Sequence, residues 1–259
     1  MIASEQFQQA IAGAGLPVPE VIHGDGTLYR FSTNGKRMDQ SGWYVLHDDG
    51  DVPAGAFGCW RSGLSQTWCS KDTQAMTQAE RSAHQQRMQA IAQQREADKA
   101  QRQHDAATAA AQRWEAAEPA PADHPYLAKK GVHAHGTRVE SDGFLIVPMR
   151  DTNGKLWNIE RINPANFKDK KGLLGGRRTG LYYSIGKPKG VLIVCEGFAT
   201  GASIHEATGD AVAVAFNAGN LREVAQALHS KYPKLRLILA ADDDAFTDGN
   251  PGITKATEA

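Results

Sequence analysis

The chain has 259 residues, 41% of them hydrophobic, with 29 Lys and Arg set against 29 Asp and Glu. That is enough apolar material for one large or two modest domains, and the composition is neither collagenous nor that of a disordered chain. A net charge of zero argues against bulk nucleic-acid coating, so any polyanion contact must come from local charge. Met1–Gly15 has no basic start and no apolar stretch of the signal-peptide kind, and no apolar run approaches the roughly 20 residues that span a bilayer. Three cysteines, Cys59, Cys69 and Cys195, are too few and too scattered for a disulfide framework. A soluble, cytoplasmic protein with no membrane partner is the expectation.

Residues 1–70 alternate apolar and polar positions, with turn signals at Asp25-Gly26, Asn34-Gly35 and Asp49-Gly50. That pattern predicts a small β-rich N-terminal module of short antiparallel strands and hairpins, with Trp43, Tyr44, Phe57, Trp60 and Trp68 as its core. Some of these rings are alternatively placed to stack unpaired bases. Residues 71–120 change character. From Asp72 to Glu118 there is no Gly or Pro, and Ala, Gln, Arg and Glu dominate, which predicts one long helix or a helix pair acting as a linker. Its apolar residues are mostly Ala, so it reads as a solvated spacer, with contact to a partner or nucleic acid as the alternative. Pro119 and Pro121 end it.

Residues 121–190 read as an α+β subdomain, with strands at 143–150 and near 156–162 around a turn at Asp151–Gly154. His124-Pro125-Tyr126-Leu127 reads as a helix entry. Between Pro125 and Gly190 stand 13 Lys and Arg against 5 Asp and Glu, whereas Val191 to Ala259 holds 5 against 9. A basic segment beside an acidic one suits a polyanion channel next to a metal site; ordinary variation of a charged surface accounts for it equally. From Val191 the pattern is βαβ: strand VLIVC (191–195), helix 199–207, strand AVAVAF (211–216), helix 221–230, strand LRLILA (235–240), and a helix from about Pro251. Continuous apolar strands alternating with helices predict a parallel sheet covered on both faces. The fold class is therefore α/β.

Ligands of such sheets lie outside the carboxyl ends of the strands. Glu196-Gly197 follows VLIVC at once, and Asp242-Asp243-Asp244 follows the 235–240 strand and Ala241. In an extended exit, Asp242 and Asp244 share a side while Asp243 points away. Three hard carboxylates converging at one sheet edge suit Mg²⁺ or Mn²⁺, with water and phosphate completing the octahedron. Asn217, beyond the middle strand and before a helix, allows a phosphate to approach. No P-loop motif occurs in the chain.

Glu-Gly after one apolar strand and Asp-x-Asp after a later one resemble the Toprim signature of topoisomerases, primases and some nucleases. CEGFATGASIHEATG (195–209), FNAGNL (216–221) and ADDDAFTDGNPGITKA (241–256) look like the Toprim module of TraC-like primases of plasmids and phages. GFLIVPMRDTNGKLWNIERI (143–162), Lys168 and RRTGLYYSIG (177–186) are similar to the basic half of the related DnaG-type core, and residues 43–63 resemble the module preceding such cores. The resemblance implies a DNA primase that makes short RNA primers on single-stranded DNA from ribonucleoside triphosphates. It implies Glu196, Asp242 and Asp244 as catalytic metal ligands for Mg²⁺ or Mn²⁺. Arg150, Arg161, Lys168, Arg177, Arg178 and Asn217 are then contacts to template or triphosphate, as is Lys255 unless it is simply solvated. A replicative helicase, or a helicase domain further along a longer chain, is the implied partner.

The chain departs from the replicative pattern in two places. Thr200 stands where an acid is expected four residues after the Toprim glutamate, and the sequence stops at Ala259 inside an expected helix, as a fragment of a longer primase would. A zinc ribbon is not expected either: Cys59 and Cys69 form no Cys-x-x-Cys pair, although His23 and His47 lie upstream. The competing functions are a Toprim nuclease and a non-catalytic module that binds single-stranded DNA or a replication partner.

Overall fold

The computed structural model describes residues 2–50, 52–243, 245–247 and 249–259. The chain divides into two units, Met1–Lys99 and Ala100–Ala259.

In the first unit, strands β1 (Tyr29–Phe31), β2 (Gly42–His47), β3 (Ala54–Cys59) and β4 (Leu64–Cys69) form an antiparallel meander. Alternation assigns the two faces of this sheet. Tyr44, Leu46 and Phe57 pack with Phe7 and Ile11, while Trp43, Val45 and Ala56 pack with Ile91. Phe7 and Ile11 belong to helix α1 (Ala3–Gly13), which corrects the expectation of strands alone in this stretch. Their spacing of four puts both on one helical face, but two apolar residues make too weak a stripe to stand out in sequence. Trp43 is buried, whereas Trp60 is only half-buried, and Arg95 lies 4.0 Å from the centroid of the Trp43 ring.

Cys59 pairs with Leu64 in the β3–β4 hairpin, and Cys69 pairs with Ala54 at its other end. Five residues of strand separate them, about 17 Å at 3.4 Å per residue. The two thiols cannot share one ion.

Helix α2 (Gln78–Ala116) is continuous, one helix and not a pair. It is also not a bare spacer. Within the first unit its Ile91 is buried on the sheet. Within the second unit Ala110, with Trp114 beside it, packs against Ile146 and Ile159. Alanines let a helix axis lie close to a sheet, so a stripe that looks thin in sequence still buries surface.

The second unit has two sheets. One is antiparallel, in the order β5 (Glu118–Pro119), β6 (Arg138–Val139), β7 (Leu145–Arg150), β8 (Leu156–Ile162), β9 (Lys170–Gly172). Ile146 and Ile159 face α2, while Leu145, Val147 and Ile162 face the central core beside helix α3 (Pro125–Lys130). His124 caps α3, its Nδ1 accepting the Tyr126 amide at 3.2 Å, which is the helix-entry role expected of it.

The other sheet runs β10 (Tyr183–Ile185), β12 (Ala211–Val214), β11 (Val191–Cys195), β13 (Arg236–Ala240). β12, β11 and β13 are parallel, and β10 is an antiparallel edge strand drawn from before residue 191. Ile193, Cys195, Val212 and Val214 point to the face covered by Phe198 and Ala202 of helix α4 (Phe198–Thr208). Leu192, Val194, Ala213 and Ala215 point to the other, covered by Leu221, Val224 and Leu228 of helix α5 (Leu221–Lys231). Helix α6 (Pro251–Glu258) adds Ala256 to this second face. The result is a mixed α/β protein with a doubly covered, mostly parallel sheet. No helix among the described residues is long and apolar enough to cross a membrane.

Candidate metal centre and basic face

The acidic edge follows from the strand order. β11 is central, and its Cys195 lies opposite Ala240 of β13. Glu196 is therefore one residue beyond the end of β11, and Asp242 two beyond the end of β13, on neighbouring strands about 4.8 Å apart. After Glu196 the chain turns into α4 on one face of the sheet; after Asp242 it leads to α6 on the other. Adjacent parallel strands whose continuations leave to opposite faces open a crevice between their carboxyl ends. Glu196 and Asp242 stand at its lip, both half-buried.

Burial pushes the Cys195 thiol up, and the negative charges of Asp242 and Glu196 add to it, reaching about 12. Two hard anionic oxygen donors at a crevice mouth fit a divalent cation of the Mg²⁺ or Mn²⁺ type. Asp244, the third expected ligand, lies outside the described residues. Asp243 is exposed and accepts a 2.8 Å hydrogen bond from Asn250 Nδ2, turned to a partner of its own. Thr200, where an acid was expected, stands in the first turn of α4, its hydroxyl near Gly197.

The third carboxyl end belongs to β12. Phe216 there takes a φ of 71°, a left-handed conformation that a bulky residue adopts only when its surroundings impose it. Asn217 follows, exposed, and opens a short 3-10 turn into α5. The turn is held by Asn220. It is 5% exposed; its Nδ2 donates to Ala215 O at 2.8 Å and Leu181 O at 3.0 Å, and its Oδ1 accepts the Gly180 amide at 2.8 Å. One side chain ties the β12 exit to the segment entering β10.

The basic residues have different fates. Arg161 is enclosed by acids: its Nε donates to Glu140, which also takes Arg113, and one Nη donates to Asp142 at 2.6 Å. Arg178 lies 3.6 Å from Glu160, a buried carboxyl that burial holds above the usual carboxylate range against the pull of Lys170 and Arg178. Arg177 and Lys155 flank Trp157, at 5.2 and 3.8 Å from its ring centroid. Arg150 donates to Gly154 O at 2.9 Å. Lys168 is exposed. Lys255 pairs with Glu258 at 2.7 Å on α6. The structure thus places Glu196 and Asp242 at the carboxyl ends of adjacent strands, sets Arg150 and Arg177 near the β7–β8 turn, and leaves Arg161, Arg178 and Lys255 in local ion pairs.

Residues 191–259 match the Toprim domain family, so the acids described here belong to a Toprim domain. Over 274 residues, 98% of the chain, it is 35% identical to DNA primase TraC of Escherichia coli, and over 280 residues 34% identical to another Escherichia coli protein of that name. The chain is a Toprim-containing relative of the TraC primases. It spans 25% and 19% of the length of these two relatives.

Proposed function

We propose that this chain carries the nucleotidyl-transfer site of a DNA primase, which joins ribonucleotides on a single-stranded DNA template. The observation that carries the reading is the pair of carboxylates at the β11–β13 crevice of a Toprim domain, beside an antiparallel sheet rich in Lys and Arg. Glu196, Asp242 and Asp244 would hold Mg²⁺ or Mn²⁺. That ion, when bound, supplies positive charge against the triphosphate and the departing pyrophosphate.

The chain's own residues do the rest. Glu196 directly precedes Gly197, the N-cap of α4, so its carboxylate is presented at the edge and not carried away from it. Asn220, by fixing the β12 exit, sets where the exposed Asn217 amide meets a phosphate entering at the start of α5. Arg177 and Arg178 are positioned to hold phosphates, Arg as a planar fork. Trp157, already bracketed by Lys155 and Arg177, offers a ring on which an unpaired base can stack. In this reading residues 121–190 are the basic half of the core, 191–259 the Toprim half, 71–120 a helical connection and 1–70 an accessory module. A replicative helicase, or a helicase domain in a longer chain, is the partner the reading implies.

Primer synthesis on single-stranded DNA with four ribonucleotides tests it. Labelled oligoribonucleotides that require Mg²⁺ or Mn²⁺ and vanish in Glu196→Gln are the expected result. DNA cleavage in place of synthesis would assign a nuclease. Binding of single-stranded DNA with neither product, unchanged by Mg²⁺ and by Glu196→Gln, would assign a non-catalytic module.

A further inference from the structure

A second group of potential ligands lies away from the acidic edge. The loop between α3 and β6 carries His133 and His135, and the last turn of α4 carries Glu206. Among the described residues these three present ligand atoms all within 4.8 Å of one another. His135 Nε2 is 2.6 Å and His133 Nδ1 3.2 Å from the same oxygen, Glu206 Oε1. The histidines are two apart in sequence and meet a glutamate 71 residues further on.

Three features make this more than a surface ion pair. First, the carboxylate is aimed: the His133 backbone amide donates to Glu206 Oε1 at 2.8 Å, the kind of supporting hydrogen bond that orients a metal-bound carboxylate. Second, the loop is set for it. His135 takes a φ of 47°, its carbonyl accepts from the Tyr183 hydroxyl, and Thr137, 1% exposed, closes the turn by donating from amide and hydroxyl to Ala134 O. Third, the rings do not stack: the His133 and His135 planes lie at 82°, while one nitrogen of each reaches the same carboxylate oxygen. Tetrahedral ligands at metal distances of about 2.0–2.1 Å sit roughly 3.3 Å apart. Shifts of about 1 Å in these side chains reach that arrangement, with His133, 81% exposed, the freest to move.

We propose that His133, His135 and Glu206 form a zinc site that clamps the loop after α3 to the end of α4. Two imidazoles and a carboxylate suit Zn²⁺, with a fourth position left to water, and discriminate against the oxygen-preferring Mg²⁺. Glu206 is eight residues beyond the start of α4, about 12 Å along its axis, whereas Glu196 precedes that start. The two sites therefore lie toward opposite ends of one helix and hold separate ions. The site does not depend on the polymerising role, and it is unrelated to Cys59 and Cys69.

Metal content of the tag-free chain tests the assignment. After chelator treatment and dialysis against Zn²⁺ with excess Mg²⁺, the protein should retain one zinc and unfold at a higher temperature than the stripped form. Both effects should persist in a Glu196→Gln/Asp242→Asn variant. Zinc affinity should fall at least tenfold in His133→Ala, whose exposed side chain can be removed without unfolding, and in Glu206→Gln. Co²⁺ should give visible d–d absorption in the parent chain and lose it in His133→Ala. Zinc retained equally by parent and His133→Ala, no zinc retained by the parent, or zinc lost only with the Glu196/Asp242 variant would each overturn it.

Discussion

Asn220 is where the frame behind the acidic edge is most open to attack. Replacing it by Ala strands three backbone groups, the carbonyls of Ala215 and Leu181 and the amide of Gly180, at a position 5% exposed. Each net hydrogen bond contributes about 1 kcal/mol, and each buried group left unsatisfied adds to the loss, so Asn220→Ala should destabilise the second unit by about 2–4 kcal/mol. Asn220→Asp should be worse, although it is nearly the same shape. It keeps the acceptor for Gly180 but sets carboxylate oxygen against two carbonyl oxygens at 2.8–3.0 Å in a buried place. Peptide-resolved hydrogen exchange is the suitable assay because it reads the second unit by itself. Amides of β11 and β12 that open only globally should exchange about 30- to 900-fold faster in Asn220→Ala and faster again in Asn220→Asp. Equal protection in parent and Asn220→Asp, or the reverse order of the two variants, would refute the argument.

Further predictions concern the sheet and its coverings. A β-carbon on Gly201 would lie 2.8 Å from Val214 Cγ2 and 3.0 Å from Cys195 Sγ; the overpacking of about 1–3 kcal/mol outweighs the roughly 1 kcal/mol that Ala gains in helix propensity. Gly201→Ala should therefore lower stability by about 1 kcal/mol in chemical denaturation, and a rise in stability would contradict the close α4–sheet packing. Burial holds the Glu160 carboxyl above its ordinary value of 4.5, so its contribution is most favourable below the unfolded value and is lost as pH rises through the folded one. Glu160→Gln should then be more stable than the parent at neutral pH, with the difference shrinking as pH falls toward 4.5; a difference that widens on acidification would show the opposite shift. Cys195, fully buried with its thiol raised to about 12, should resist a thiol reagent at pH 8 until the second unit unfolds, as mass mapping of the adducts would reveal.

Much of the Toprim sheet was legible because its strands are apolar on both faces. VLIVC and AVAVAF announce buried parallel strands, and the acids directly after VLIVC and shortly after LRLILA mark the proposed binding edge without further help. Other features depend on partners remote in sequence. The edge strand β10 has only three residues, Tyr183–Ile185, and gains its identity by pairing with β12. Arg161 looked like a phosphate ligand because nothing local showed that Glu140 and Asp142 would enclose it. The packing of α2 was hidden by its alanines, which give no strong periodic stripe yet are the residues that admit a close helix–sheet approach. The His133, His135 and Glu206 cluster escaped for the same reason of distance: a zinc search by cysteine spacing does not find histidines joined to a glutamate 71 residues away.

A crystal of the chain soaked in Mn²⁺ tests whether Glu196 and Asp242 share one divalent cation. An anomalous-scattering peak is expected at the β11–β13 crevice, about 2.1 Å from carboxylate oxygens of both residues and absent in Glu196→Gln. A peak ligated by only one of them, or a crevice that stays empty while Mn²⁺ binds elsewhere, would contradict it.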